Sequence, residues 1–281
     1  MSVRGARQRP GPPRRLQTPG WGVGATRLTA AQREALYRDG YVLLPGIVPR
    51  ARVDAALHAI NHSLGSEGLP PDRLREYASR SYCPELRQSK EVTDLLHGSP
   101  LWDLAQDVIG PGRIRPVDGG QIALRFPRPG PVRPPHPHID GISSPLNGVP
   151  QGRIANFTAL VGVFLSDLPA ADSGNFTVWP GTHRLFEAYF QAHGPQTLLQ
   201  GMPDVPLPEP VQITGAAGDA VLCHYQLAHS AHQNVSPHVR YACFFRLAHV
   251  DHEALHWTCM TDIWREWEGM RDLTGAAAAT S

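Results

Sequence analysis

The sequence has no long apolar run. Nothing in it approaches the ~20 residues of a membrane-spanning helix, so no membrane partner is expected. The N-terminus carries arginines without the apolar stretch of a secretory signal. Cysteine is scarce, with four residues (Cys83, Cys223, Cys243 and Cys259) and no C-x-x-C pair. That excludes a disulfide-stapled scaffold and predicts reduced thiols in an intracellular, cytoplasmic protein. Charge of one sign is missing too: 26 basic against 25 acidic residues leave a net charge of +1. Such a balance gives no field for nucleic acid or an anionic membrane. Abundant instead are Gly, with 27 residues, and Pro, with 28. They favour a turn-rich β fold over a helical bundle, and 281 residues suffice to bury a core.

Residues 1–27 read as a disordered tail, because Arg4, Arg7, Arg9, Arg14 and Arg15 sit among Pro and Gly with no periodic apolar positions. Thr29 and Gln32 then match a capping box, and Gly40 is placed to end the helix they start. Tyr41–Leu44 is a short strand, and Val53, Ala56, Leu57, Ile60 and Leu64 mark a second helix. Further helices reach residue 110, so 28–110 reads as a helical supporting layer. From 113 the texture becomes short strands between Gly/Pro turns. The expected strands are Gln121–Phe126, His136–Asp140, Ile154–Leu165, Asn175–Trp179, Val211–Thr214, Asp219–His224 and Val239–Val250, with one inserted helix over Leu185–Ala192. This predicts a mainly β fold with flanking helices, a jelly-roll (double-stranded β-helix, cupin-like) core over 113–250. A C-terminal amphipathic helix is expected over 252–270 and a flexible tail over 271–281, with 28–270 forming a single domain.

One short stretch carries chemistry. In Pro135-His136-Pro137-His138-Ile139-Asp140-Gly141, His138 and Asp140 form a His-x-Asp pair. On a strand, residues two apart share a face, so an imidazole and a carboxylate would converge. With a distant second histidine this is the donor set of the 2-His-1-carboxylate triad of non-haem Fe(II) oxygenases. The partner lies in the block Gly218–His229 and its continuation, where His224, His229, His232 and His238 compete. Spacing alone does not choose among them.

That block resembles the late signature of the phytanoyl-CoA dioxygenase family of Fe(II)/2-oxoglutarate oxygenases. Gly218-Asp219 is followed by His229 ten residues after the Asp, then by Asn234 and Arg240. Ser173-Gly174-Asn175 leading to Pro180-Gly181-Thr182-His183-Arg184 is similar to a second family motif, and Arg38–Gly46 to its opening. The resemblance spans about residues 30–250 and implies His138, Asp140 and His229 as ligands of Fe(II), with 2-oxoglutarate and O2 as cosubstrates. It implies that Arg240 grips the distal carboxylate of 2-oxoglutarate. A guanidinium offers a planar fork and stays charged in a pocket, and the apolar run beside it, Tyr241–Phe245, marks a buried strand. Gln121 corresponds to a position lining the cosubstrate pocket, and His183 to a structural turn residue.

Other candidates are weaker. His136 shares the face of His138 and Asp140 on a regular strand, and Asn156 and Thr158 face the pocket by alternation. Arg125, Arg128 and Arg133 could meet an anionic substrate such as a CoA ester, although a solvated loop is the simpler reading. Two departures from the family bear on the substrate: Ala231 stands where a Ser is common, and Gly162 where a Trp often forms a wall. The expected activity is hydroxylation of an aliphatic C–H of a small molecule, an acyl-CoA or a secondary metabolite, with release of succinate and CO2. Asp140 argues against halogenation, which replaces the carboxylate by a small residue. The competing readings are a cupin-type metal protein that does not use 2-oxoglutarate and a non-catalytic jelly-roll binding module.

Overall fold

The computed structural model describes residues 26–128 and 130–274. The expected N-terminal tail falls almost wholly outside this range, as does the C-terminal one beyond Thr274. The first helix, α1 (Ala30–Asp39), starts as its sequence dictates. Thr29 Oγ1 accepts from Gln32 N at 3.3 Å, and Gln32 Oε1 accepts from Thr29 N at 2.9 Å. Such a cap contributes about 1 kcal/mol. Gly40 closes the helix at φ +81° and donates to Leu36 O at 3.0 Å. No side chain would fit there, because a Cβ would lie 2.6 Å from His183 Nδ1.

Strand β1 (Tyr41–Leu44) follows, then α2 (Arg50–Glu67), α3 (Leu74–Ser79), α4 (Lys90–His97) and α5 (Leu101–Ile109). The remaining elements are β2 (Gln121–Arg125), β3 (Ala159–Phe164), β4 (Phe176–Val178), α6 (Thr182–His193), β5 (Val211–Gln212), β6 (Ala220–His224), β7 (His229–Ala231), β8 (Arg240–Leu247), α7 (His252–Leu255) and α8 (Arg271–Thr274). A five-stranded antiparallel sheet in the order β1-β6-β3-β8-β2 faces a three-stranded one, β5-β4-β7. This is the two-sheet, jelly-roll arrangement with flanking helices. The helical N-terminal part is more than a support, since β1 forms an edge of the main sheet through Val42↔Leu222.

Alternation along the central strands divides the core. Val161, Val163, Leu222, Cys243 and Phe245 face the helices and pack with Val53, Ile60, Leu95 and Val108. Leu160, Phe164, Val221, Cys223, Ala242 and Phe244 face the second sheet and pack with Phe176 and Val178. Buried apolar surface on both faces of one sheet supplies the main driving force for folding. All four cysteines are free and buried, and no described helix is long and apolar enough to cross a membrane.

Three expectations need correction. The segment 136–140 is not a strand: it is irregular chain that turns at Asp140, joined to the second sheet by a single bridge, His138↔His229. Pro134, Pro135 and Pro137 lack the N–H a ladder requires. Over 252–270 there is no continuous helix either, but α7 and the short 3-10 turns Thr258–Met260 and Glu268–Met270. The buried residues Cys259, Met260, Ile263, Trp267 and Met270 do keep helical spacing, but the chain folds back on itself: His252 Nδ1 meets Glu266 Oε1 at 2.9 Å, where a continuous helix would hold the two about 21 Å apart. Residues 271–274, expected as tail, form α8, and Leu273 packs against the core.

Candidate metal centre

Backbone pairing places the two histidines. His229 opens β7 opposite Val178 of β4, and on its other side it exchanges two hydrogen bonds with His138. His138 N donates to His229 O and His229 N to His138 O, both at 3.0 Å. Residues directly opposite in an antiparallel pair project from the same face, so the rings meet with centroids 4.6 Å apart. Asp140, two residues on, turns its Oδ1 to 3.6 Å from Nε2 of both His138 and His229. One donor atom from each residue lies within 4.8 Å of the others. Tyr225 fixes the backbone here, its hydroxyl donating to Asp140 O at 3.0 Å.

The protonation states suit a cation. His229 Nδ1 donates to Leu227 O at 3.0 Å, which leaves the Nε2 lone pair facing inward. Desolvation at the floor of the site, then repulsion from His229, pushes His138 down to about 4, although its outer edge is open to solvent. For Asp140, burial raises the pKa, but Arg246, the hydrogen bond with His229 and the charges of both histidines reverse this. The carboxyl ends well below the usual carboxylate range. Two imidazoles and one carboxylate that converge on one point match the donor set of a divalent transition metal.

Arg240 lies on the inner face of β8, 3% exposed. Its Nε donates to Gly174 O at 2.8 Å and its Nη1 to Ala123 O at 3.0 Å. Arg125 is its cross-strand partner, and the pair flanks Gly174, where a Cβ would lie 2.8 Å from that of Arg125 and 3.2 Å from that of Arg240. Among the described residues neither arginine has a carboxylate partner. Burial, then repulsion from Arg125, pushes Arg240 down to about 9. Its hydrogen bonds to the two carbonyls leave the positive charge itself uncompensated among the described residues. Arg125 is therefore not part of a solvated loop, whereas Arg128 and Arg133 are exposed.

The remaining candidates divide. Gln121 faces the centre, with Oε1 accepting from Arg246 Nη1 at 2.8 Å. His136 is exposed and outside the converging set. Asn156 and Thr158 turn away from the triad: Asn156 Oδ1 meets His252 Nε2 at 3.2 Å, and Thr158 Oγ1 donates to Glu266 Oε2 at 2.6 Å. Their alternation was counted on a strand that begins only at Ala159. His252, Cys259 and Glu266 form a second buried group of donor atoms. Its polar atoms are already partnered: His252 Nδ1 lies 2.9 Å from both Glu266 oxygens, and Cys259 Sγ donates to His256 O at 3.5 Å. His183 is wholly buried with Nε2 on Tyr37 O, in a structural place. The space beside Gly162 is filled by Phe244, whose ring would lie 2.6 Å from a Cβ there.

Arg246 was not anticipated. Its Nε and Nη2 both reach Asp140 Oδ2, at 3.0 and 2.7 Å. The signal was available, because Arg246 shares the parity of Arg240 within the expected strand Val239–Val250.

A jelly roll with two histidines and one carboxylate at its open end defines the class of non-haem iron oxygenases. The profile of the phytanoyl-CoA dioxygenase (PhyH) family matches residues 36–242, and the chain belongs to that family. It is thus a 2-oxoglutarate-dependent non-haem iron oxygenase. Similar solved folds include the α-ketoglutarate-dependent carbocyclase SnoK from nogalamycin biosynthesis, 22% identical over 78% of this chain and 83% of that one, with a TM-score of 0.52. EctD from S. alaskensis is 20% identical over 81% and 79%, with a TM-score of 0.51. HygX from Streptomyces hygroscopicus, with nickel and 2-oxoglutarate bound, is 18% identical over 79% and 87%, with a TM-score of 0.52. No curated protein matches the sequence.

Proposed function

We propose that this enzyme hydroxylates an aliphatic C–H bond of a small molecule, an acyl-CoA or a secondary metabolite, with release of succinate and CO2. His138, Asp140 and His229 would hold the iron, and Arg240 the distal carboxylate of 2-oxoglutarate. The observation that carries this reading is the pairing of a converging two-histidine, one-carboxylate triad with a buried arginine that has no acidic partner among the described residues. A cupin that does not use 2-oxoglutarate has no task for such an arginine.

Bound iron with 2-oxoglutarate and O2 supplies the oxidising power for C–H cleavage. The protein's own residues orient and enclose. The Nδ1–H bond of His229 to Leu227 O sets the ring so that Nε2 points inward. Phe176 stacks near His229, centroids 5.4 Å apart, and Phe244 packs on Phe176 at 5.3 Å. These rings keep water from the cosubstrate's side of the centre. Arg128 and Arg133 are pinned beside the site, Arg128 N donating to Asn234 O at 2.7 Å and Arg133 N to Gln233 Oε1 at 3.3 Å. The presence of Asp140 favours hydroxylation over halogenation.

The test is an anaerobic titration with Fe(II) and 2-oxoglutarate, followed by the weak visible charge-transfer band of the chelate, with Asp140→Ala and Arg240→Ala alongside. The band is expected in the parent and weakened in Arg240→Ala. Metal binding without a band would favour the cupin or binding-module reading. A substrate screen by succinate release follows a positive result.

A further inference from the structure

Arg246 contacts one of the two Asp140 oxygens only. Nε and Nη2 converge on Oδ2, at 3.0 and 2.7 Å, while Oδ1 is the oxygen 3.6 Å from both histidine nitrogens. An arginine that merely balanced charge would favour the bidentate fork, one nitrogen on each oxygen. Here both nitrogens are on the oxygen facing away from the histidines. The guanidinium is itself held: Nη1 donates to Gln121 Oε1 at 2.8 Å, Cζ lies 5.7 Å from the Phe157 ring centre, and the backbone is fixed in register opposite Leu160.

We propose that Arg246 is a positioning residue of the metal centre, which by retaining Oδ2 makes Asp140 a one-oxygen ligand through Oδ1. Asp140 can bind a metal with one oxygen or two, and a second bound oxygen occupies a position that 2-oxoglutarate or O2 needs. The chain has a way to prevent that. Gln121 then acts through Arg246, holding the guanidinium at the angle at which both nitrogens meet Oδ2. A cation beside the site also repels a divalent ion, so the arrangement gives up some metal affinity and keeps coordination positions open. This inference rests on the metal-centre reading above.

The experiment uses the full chain with Co(II) as the probe, under argon, read by ligand-field absorption, in the parent, Arg246→Gln and Arg246→Lys. 2-Oxoglutarate is titrated afterwards into each Co(II)-loaded protein. Arg246 is 39% exposed in its side chain, so neither substitution opens the core, and matching melting curves check the fold. In Arg246→Gln the Co(II) bands are expected to move or change intensity as Asp140 engages both oxygens. Co(II) affinity stays equal or rises, and 2-oxoglutarate affinity falls at least fivefold. Arg246→Lys keeps the charge and is expected nearer the parent in both readouts. An Arg246→Gln protein with the parent's spectrum and the parent's 2-oxoglutarate affinity overturns the proposal. If 2-oxoglutarate fails to bind the parent's Co(II) form, the proposed function falls, while the spectra still decide the role of Arg246. If the parent binds no Co(II), both fall.

Discussion

Replacing Arg240 by Met should abolish the response to 2-oxoglutarate while leaving the ligand-free fold nearly as stable as before. Arg240 is pushed down to about 9, yet a guanidinium does not give up its proton in a folded protein. The burial is therefore felt as a cost to the charged form of about 5 kcal/mol. Against this stand two hydrogen bonds from a charged donor, to Gly174 O and Ala123 O, worth about 1.5–3 kcal/mol each. The sums nearly cancel, so an apolar side chain of similar length is expected to change ligand-free stability by less than about 2 kcal/mol. The parent, loaded with Co(II) and given 2-oxoglutarate at 100 times its Kd, gains about 2.7 kcal/mol. For a chain of this size that corresponds to roughly 5 °C in Tm. Thermal unfolding of both proteins, with and without 2-oxoglutarate, measures both quantities. A Met variant that keeps the cosubstrate-dependent shift would refute the assignment. One that loses more than about 4 kcal/mol without ligand would show the arginine to be structural.

Acid should unfold the protein in a window set by histidines rather than carboxylates. Burial foremost pushes His224 down to about 4 and His183 down to about 3, so the unfolded chain binds more protons at pH values between these and 6.5. Stability is full above 6.5 and is lost as pH falls through that window, by about 3 kcal/mol from His224 alone at pH 4. Circular dichroism against pH checks this, and a flat profile from pH 6.5 to 4.5 contradicts it. Gly174→Ala places a Cβ against those of Arg125, Arg240 and Asn234 at φ +77°. Left-handed strain and overpacking should together cost about 2–4 kcal/mol, visible in a denaturant midpoint, and a neutral result would mean that the arginine pair can shift. Asp140→Ala should lose Co(II) binding by isothermal titration while leaving Tm within a few degrees, since its partner Arg246 can turn to solvent. Undiminished affinity would remove Asp140 from the ligand set.

The parts of the site legible in the sequence are those whose geometry is local or fixed by spacing. His138 and Asp140 converge as their spacing suggests, but by another route: His138 is set by its bridge to His229, and Asp140 follows in a turn held by Tyr225. His229 was separated from His224, His232 and His238 by family spacing alone. In the structure the distinction is physical: His224 is committed at both nitrogens, to Ile263 O and Gln226 N, and His232 lies against Asp172 at 2.8 Å. The readings that failed depended on where a strand begins. Asn156 and Thr158 precede β3, so alternation assigned them the wrong direction, and the buried His252–Glu266 pair that captures them arises from a C-terminal segment expected to be one helix.

Register is the other limit, and it bears directly on the chemistry. Arg125, Arg240 and Arg246 are visible in the sequence as arginines on strands, each open to an ordinary surface reading. Pairing β2 with β8 sets Arg125 against Arg240, and pairing β3 with β8 sets Arg246 against Leu160 at the mouth of the centre. A one-residue slip would send all three to the opposite face, into the helix-packed layer. The apolar residues between them hold that register: Ala242 and Phe244 point inward, Cys243 and Phe245 outward. Core packing along β8 thus does the orienting for the site. It turns one arginine toward a carboxylate the cosubstrate would bring and the other toward a carboxylate the protein already has.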